Sequence, residues 1–205
     1  MPLTLAETKG CCHVAYDGVT GENYRFPDGV TWSVNNHWAT RMTGFKSALM
    51  TPQGRDNMTV LAFAGTDSML DVAVDIAQLL GGLPPQYSQA LFLTSAAQRN
   101  AGLRLHLAGH SLGGGLAAYC SSILRIPTST INPAPLVGGA NLSALFAKNS
   151  QITNYIAAGG EIVSSSPGRN PGQDVSVSSR GGFFGFFTDH MLSNVALEYP
   201  LPVKI

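Results

Sequence analysis

Residues 109–113 read Gly109-His110-Ser111-Leu112-Gly113, a serine set between glycines at the spacing of a nucleophile held on a sharp strand-to-helix turn. Taken alone, such a motif is weak. Here it follows the apolar run Leu103–Ala108 and opens an alanine- and leucine-rich segment from Ser111 to Leu124, the placement that the chemistry requires. A serine in that turn has strained backbone, and glycines on either side remove Cβ atoms that would strike neighbouring elements. The hydroxyl then projects above the sheet. The Leu112 amide falls at a helix N-terminus, where N–H groups lack an intrahelical acceptor and face a developing oxyanion. The chemistry implied is acyl transfer through a covalent serine intermediate. A phosphate-binding loop is excluded, because Gly109 and Gly114 are followed by Gly115-Leu116 rather than by lysine and a hydroxyl residue. An ordinary serine helix cap needs no glycine on both sides.

A serine nucleophile needs a base, and the base needs an acid to orient it. The five histidines are His13, His37, His106, His110 and His190. The chain order serine, acid, histidine selects His190. His110 is expected to point away from the nucleophile across the turn, His106 to lie within a strand, and His13 and His37 precede this half of the chain. Three carboxylates fall between the serine and the base: Glu161, Asp174 and Asp189. Glu161 is favoured, since it follows the apolar run Ile152–Ala157 on a loop that can reach a C-terminal histidine. Asp189 adjoins His190, and adjacent side chains diverge. A second oxyanion donor is expected from Ala64-Gly65-Thr66-Asp67 at the end of an earlier strand, with Thr66 as donor and Asp67 capping the following helix.

These residues require a scaffold, and the chain reads as strands alternating with helices. A helix is expected over Leu3–Tyr16, ended or interrupted near Gly10, then an irregular segment over 17–40. A hairpin follows: residues 43–50, the turn-rich stretch 52–57, and the apolar run Met58–Ala64. Helices are expected at Ser68–Leu80, Gln86–Asn100, Ser111–Leu124 and Leu142–Lys148, and strands at Leu103–Ala108, Ser129–Ile131 and Ile152–Ala157. Residues 164–187 read as loop, and a last helix is expected over His190–Leu197. The alternation predicts an α/β chain with a mostly parallel sheet flanked by helices.

The composition agrees with one soluble catalytic domain spanning residues 1–205. Hydrophobic residues make up 44% and charged residues 12%, against about 25% charged in ordinary globular chains. Net charge is zero, so the basic footprint of a nucleic-acid binder is absent. No apolar run has a membrane-spanning length, and the first ten residues lack a signal-peptide pattern. The expected location is therefore cytoplasmic, or outside the cell by a non-classical route. Cys11, Cys12 and Cys120 are read as buried thiols.

Three segments together resemble the class 3 (fungal-type) lipases. Leu61-Ala62-Phe63-Ala64-Gly65-Thr66 is similar to that family's Phe-Arg-Gly-Thr/Ser oxyanion strand. Ala108-Gly109-His110-Ser111-Leu112-Gly113-Gly114 matches its Gly-His-Ser-Leu-Gly-Gly turn. Glu161-Ile162-Val163 resembles its acid segment, and His190 its C-terminal histidine. The likeness covers roughly residues 43–195. It implies an α/β-hydrolase fold and a lipase, phospholipase A1 or related esterase without metal or cofactor. A lid helix is implied near Ser68–Leu83. Ala64 stands where the family has arginine, and Glu161 where aspartate is commoner. Met69 and Leu70 of the lid region, with Phe183 and Phe186 of a glycine-bounded aromatic loop, are the expected acyl-chain contacts. The implied partners are a lipid or ester substrate, a transient membrane interface and no nucleic acid. The chain also resembles small leaderless bacterial effectors delivered by type VI secretion, for which an immunity protein is a further expected partner. A catalytically inactive binding module and an acyltransferase are the competing functions.

Overall fold

The computed structural model describes residues 3–55, 57–65, 85–136, 151–158, 170–180 and 190–205. The expected helices at Ser68–Leu80 and Leu142–Lys148 lie outside these residues, as do Thr66, Glu161, Met69, Leu70, Phe183, Phe186 and Asp189. The chain begins with α1 (Leu5–Asp17), followed by β1 (Asn23–Arg25), β2 (Thr31–Thr40), β3 (Phe45–Pro52) and β4 (Thr59–Phe63). Next come α2 (Pro85–Ala101), β5 (Leu105–His110), α3 (Leu112–Leu124), β6 (Thr128–Ile131), β7 (Ile152–Ala157), β8 (Gln173–Val177) and β9 (Val203–Lys204).

The described strands form one mixed sheet in the order β8-β7-β6-β5-β4-β3-β2-β1-β9. From β4 to β8 neighbouring strands are parallel, whereas β3, β2, β1 and β9 add an antiparallel wing. Side chains on successive strand residues face opposite ways, and the two cores follow that alternation. Val60 and Ala62 of β4 and Ala108 of β5 belong to the core shared with α1, which also holds Cys11, Cys12 and Val14. Leu61, Phe63, Leu105 and Leu107 belong to the opposite core, with Tyr87 and Ala90 of α2 and Leu116 and Ala117 of α3. The sheet therefore carries helices on both faces.

Several expectations are corrected. Residues 17–40 are not irregular: Trp32 and Val34 alternate into the core and make β2 a long strand. The helix α1 is continuous through Gly10, where a Cβ would meet the Phe26 ring 2.3 Å away; Gly10 is there for packing and does not break the helix. Within the loop-rich stretch, Gln173–Val177 extends the parallel sheet. The last helix is reduced to a short 3₁₀ turn at Leu192–Asn194.

That C-terminal segment is ordered by a charge instead of by helical hydrogen bonding. The first turn of α1 is fixed by a reciprocal cap. Thr4 Oγ1 accepts from the Glu7 amide (3.2 Å), and a Glu7 carboxylate oxygen accepts from the Thr4 amide (2.8 Å). Two residues further on, the buried Lys9 ammonium donates to the carbonyls of Val195 (2.6 Å), Ala196 (3.0 Å) and Tyr199 (2.8 Å). Burial pulls the Lys9 pKa below the ordinary lysine value, and exposed Glu198 opposes that shift. Ala196, held at φ +50°, is fully buried, a conformation that a non-glycine residue keeps only when its surroundings impose it. Lys9→Met should remove the donor shared by these carbonyls, of which Ala196 keeps the Tyr199 amide, and cost about 3 kcal/mol. Thermal unfolding should show a loss of roughly 6–12 °C. A melting curve that overlays the wild type would refute the clamp.

Candidate active site

The last residue of β5 and the first of α3 bracket Ser111, whose backbone sits at φ 59°, ψ −128°. This region is costly for a residue with a Cβ, by about 1–3 kcal/mol, and three hydrogen bonds hold it. The Ser111 amide donates to the Ile131 carbonyl (3.1 Å). Its own carbonyl accepts from Gly115 (3.1 Å) and from Ala134 (2.8 Å). Close packing supplies the rest. A Cβ on Gly109 would stand 2.2 Å from the Gly113 carbonyl oxygen, and one on Gly113 would stand 2.2 Å from the Phe63 carbonyl oxygen. The turn thus lies directly against the end of β4.

Ser111 and His190 are both buried, and His190 Nε2 lies 2.8 Å from Ser111 Oγ. The structure therefore brings together the predicted nucleophile and the predicted base from positions 79 apart in the chain. A hydroxyl that donates here requires Nε2 to be the lone-pair nitrogen of a neutral imidazole, the state able to remove the serine proton. Leu112 opens α3, so its amide is among those without an intrahelical acceptor. Gly65, the last described residue before Thr66, packs against the nucleophile: a Cβ there would meet Ser111 Cβ at 2.8 Å. Asp174, the alternative acid on β8, accepts from Asn154 Nδ2 (2.9 Å). Asn154 in turn accepts from Thr130 (2.7 Å), which makes Asp174 part of a polar link between β6, β7 and β8.

His110 makes contacts that no motif announced. Its ring turns toward the base, with Nε2 2.7 Å from the His190 carbonyl oxygen and Nδ1 2.7 Å from the Tyr16 hydroxyl. The alternation along β5 carried the signal. Leu105 and Leu107 face α2 and α3, and Ala108 faces α1, so His110 shares the α1 face. Tyr16 had no motif to announce it. Asn132, at φ 43° after β6, was also silent in the sequence. It is buried, and its Oδ1 accepts from the Ala157 amide (2.9 Å), which fixes the exit of β7.

A family model described as a Tle-like phospholipase domain matches residues 29–166, more than half of the chain. The chain belongs to this phospholipase-like family. An extracellular phospholipase A1 from Serratia liquefaciens is 37% identical over 92 residues, which cover 45% of this chain and 28% of that protein; the match spans well under two thirds of the relative. Among solved structures, a triacylglycerol lipase from Penicillium expansum superposes with a TM-score of 0.60 at 14% identity, covering 84% of this chain and 77% of the lipase. The Rhizomucor miehei lipase in its propeptide complex gives 0.58 at 14% identity, covering 84% and 65%. The fold is thus the α/β-hydrolase fold of the lipases.

The turn itself is open to test. Gly113→Ala directs a Cβ into the β4 backbone, which must move away from the nucleophile. The expected loss is about 3 kcal/mol, read as an earlier unfolding transition in denaturant. Unchanged stability would show that the two elements are not in tight contact.

Proposed function

We propose that this protein cleaves lipid esters through an acyl-enzyme on Ser111, and that its substrates are glycerophospholipids. The observation that carries the reading is the 2.8 Å hydrogen bond between Ser111 Oγ and His190 Nε2 at a left-handed strand-to-helix turn. His190 takes the serine proton as the oxygen attacks the ester carbonyl. The amides of Leu112 and Thr66 stabilise the oxyanion. Glu161 accepts from His190 Nδ1–H and stabilises the imidazolium that forms. His190 then passes its proton to the departing alcohol, and a water molecule activated by the same imidazole releases the fatty acid.

A phospholipid substrate is supported by the family description and by the phospholipase A1 relative. Cleavage at the first acyl position is part of the proposal. Met69, Leu70, Phe183 and Phe186 serve as acyl-chain contacts where the protein meets a membrane surface. Among the described residues no helix is long and apolar enough to cross a membrane. Export by type VI secretion and a cognate immunity protein complete the reading, supported by the resemblance to small effectors of that kind.

Ser111→Ala should abolish labelling by a fluorophosphonate probe and lower turnover of p-nitrophenyl esters by about 10⁴-fold or more. A variant that keeps half the wild-type rate would end the proposal, and a wild type that neither labels nor turns over would mark a binding module. Mass spectrometry of phosphatidylglycerol digests should find free fatty acid and a lysophospholipid lacking the first acyl chain. Phe186→Ser should reduce activity on long-chain esters more than on short ones; equal losses would argue against an acyl contact.

A further inference from the structure

Three hydrogen bonds run in series from the oxyanion loop to the base. The Gly65 amide donates to Tyr16 Oη (2.9 Å). Tyr16 Oη lies 2.7 Å from His110 Nδ1, and His110 Nε2 lies 2.7 Å from the His190 carbonyl oxygen. Elementary chemistry fixes the direction of each proton. A carbonyl oxygen only accepts, so His110 carries a proton on Nε2. The neutral ring then offers Nδ1 as an acceptor, and the Tyr16 hydroxyl donates to it. The hydroxyl oxygen is left to accept from Gly65. Protonating His110 would leave Tyr16 Oη facing two donors at once.

The site is built tightly around this series. His110 and His190 are buried, with ring centroids 5.0 Å apart. The Tyr16 ring centroid is 5.9 Å from that of His110. A Cβ on Gly65 would meet Tyr16 Oη at 2.7 Å, Ser111 Cβ at 2.8 Å and the His110 carbonyl oxygen at 2.9 Å. Glycine therefore lets the peptide before Thr66 approach both the tyrosine and the nucleophile.

We infer that Tyr16 and His110 are positioning residues that hold the His190 backbone and the Gly65 peptide in register with Ser111. Each acts through the groups that do the chemistry. The inference rests on the serine ester-hydrolase reading and extends it to the N-terminal helix, from which the relay takes its hydroxyl. The polarity of the series also sets a histidine tautomer: His110 is protonated on Nε2, whereas His190 is unprotonated on Nε2.

The test compares wild type, Tyr16→Phe, His110→Ala, His110→Gln and the double variant Tyr16→Phe/His110→Ala. Hydrolysis of p-nitrophenyl butyrate is measured per fluorophosphonate-titrated site. Tyr16→Phe and His110→Ala should each lower kcat by about 10- to 100-fold with KM within about threefold of wild type. The double variant should be no slower than the slower single variant, because both break one series. His110→Gln, whose amide can still donate to the His190 carbonyl, should recover about tenfold over His110→Ala. Tyr16→Phe should melt within a few degrees of wild type. Unchanged kcat in Tyr16→Phe, or losses that multiply in the double variant, would overturn the inference. Nitrogen-15 NMR of the imidazoles gives a readout independent of turnover: His110 should be the Nε2–H tautomer, and an Nδ1–H tautomer refutes the relay. A wild type that fails to label with fluorophosphonate would instead overturn the hydrolase reading, and the tautomer measurement would still decide the relay.

Discussion

The unfavourable backbone at Ser111 is the constraint on which the site depends. A residue with a Cβ at φ 59°, ψ −128° persists only when its surroundings leave no relaxed alternative. Here β6 holds its amide, and the helix it opens, with the loop after β6, holds its carbonyl. Glycine at 109 and 113 allows these elements to close on the turn with backbone against backbone. In return the hydroxyl is lifted clear of the sheet and meets His190 at hydrogen-bond distance. The unfavourable backbone at Ser111 is thus opposed by β6, α3 and the loop after β6.

The second organising element is α1. It covers the face of β3, β4 and β5 opposite to α2 and α3. From that position it sends a cation to the segment after His190 and a hydroxyl to His110 and Gly65. Burying the Lys9 ammonium carries a desolvation penalty, which the three carbonyls at Val195, Ala196 and Tyr199 offset. Helix α1 therefore contacts both the segment that follows His190 and the Gly65 peptide at the end of β4.

What the sequence made legible follows from how local each signal is. The serine turn was readable because its glycine-flanked serine falls between an apolar strand run and an alanine- and leucine-rich helix, the context in which the spacing carries meaning. The hairpin of β3 and β4 was readable from the Pro52-Gln53-Gly54 turn between apolar runs. His190 was reached by chain order. By contrast, β1 and β2 were hidden, because β2 mixes exposed Asn35 and Asn36 and half-buried His37 with its core positions. The segment after His190 imitates an amphipathic helix, yet a distant lysine draws off its carbonyls. Tyr16 became visible only in three dimensions, since its partners lie 94 and 49 residues away. His110 was expected to point away from the nucleophile; the period of the strand puts it on the α1 face, where its ring meets Tyr16 and the His190 carbonyl.

The wide separation between nucleophile and base has a consequence for synthesis. Ser111 leaves the ribosome 79 residues ahead of His190, and β4, β5 and α3 can pack as soon as they are extruded. The nascent chain then carries the Ser111 hydroxyl without its histidine partner while those intervening residues are made. The contact between Ser111 and His190 forms only when the C-terminal stretch has emerged and packs against Lys9, so a ribosome stalled before that point displays the turn without its imidazole.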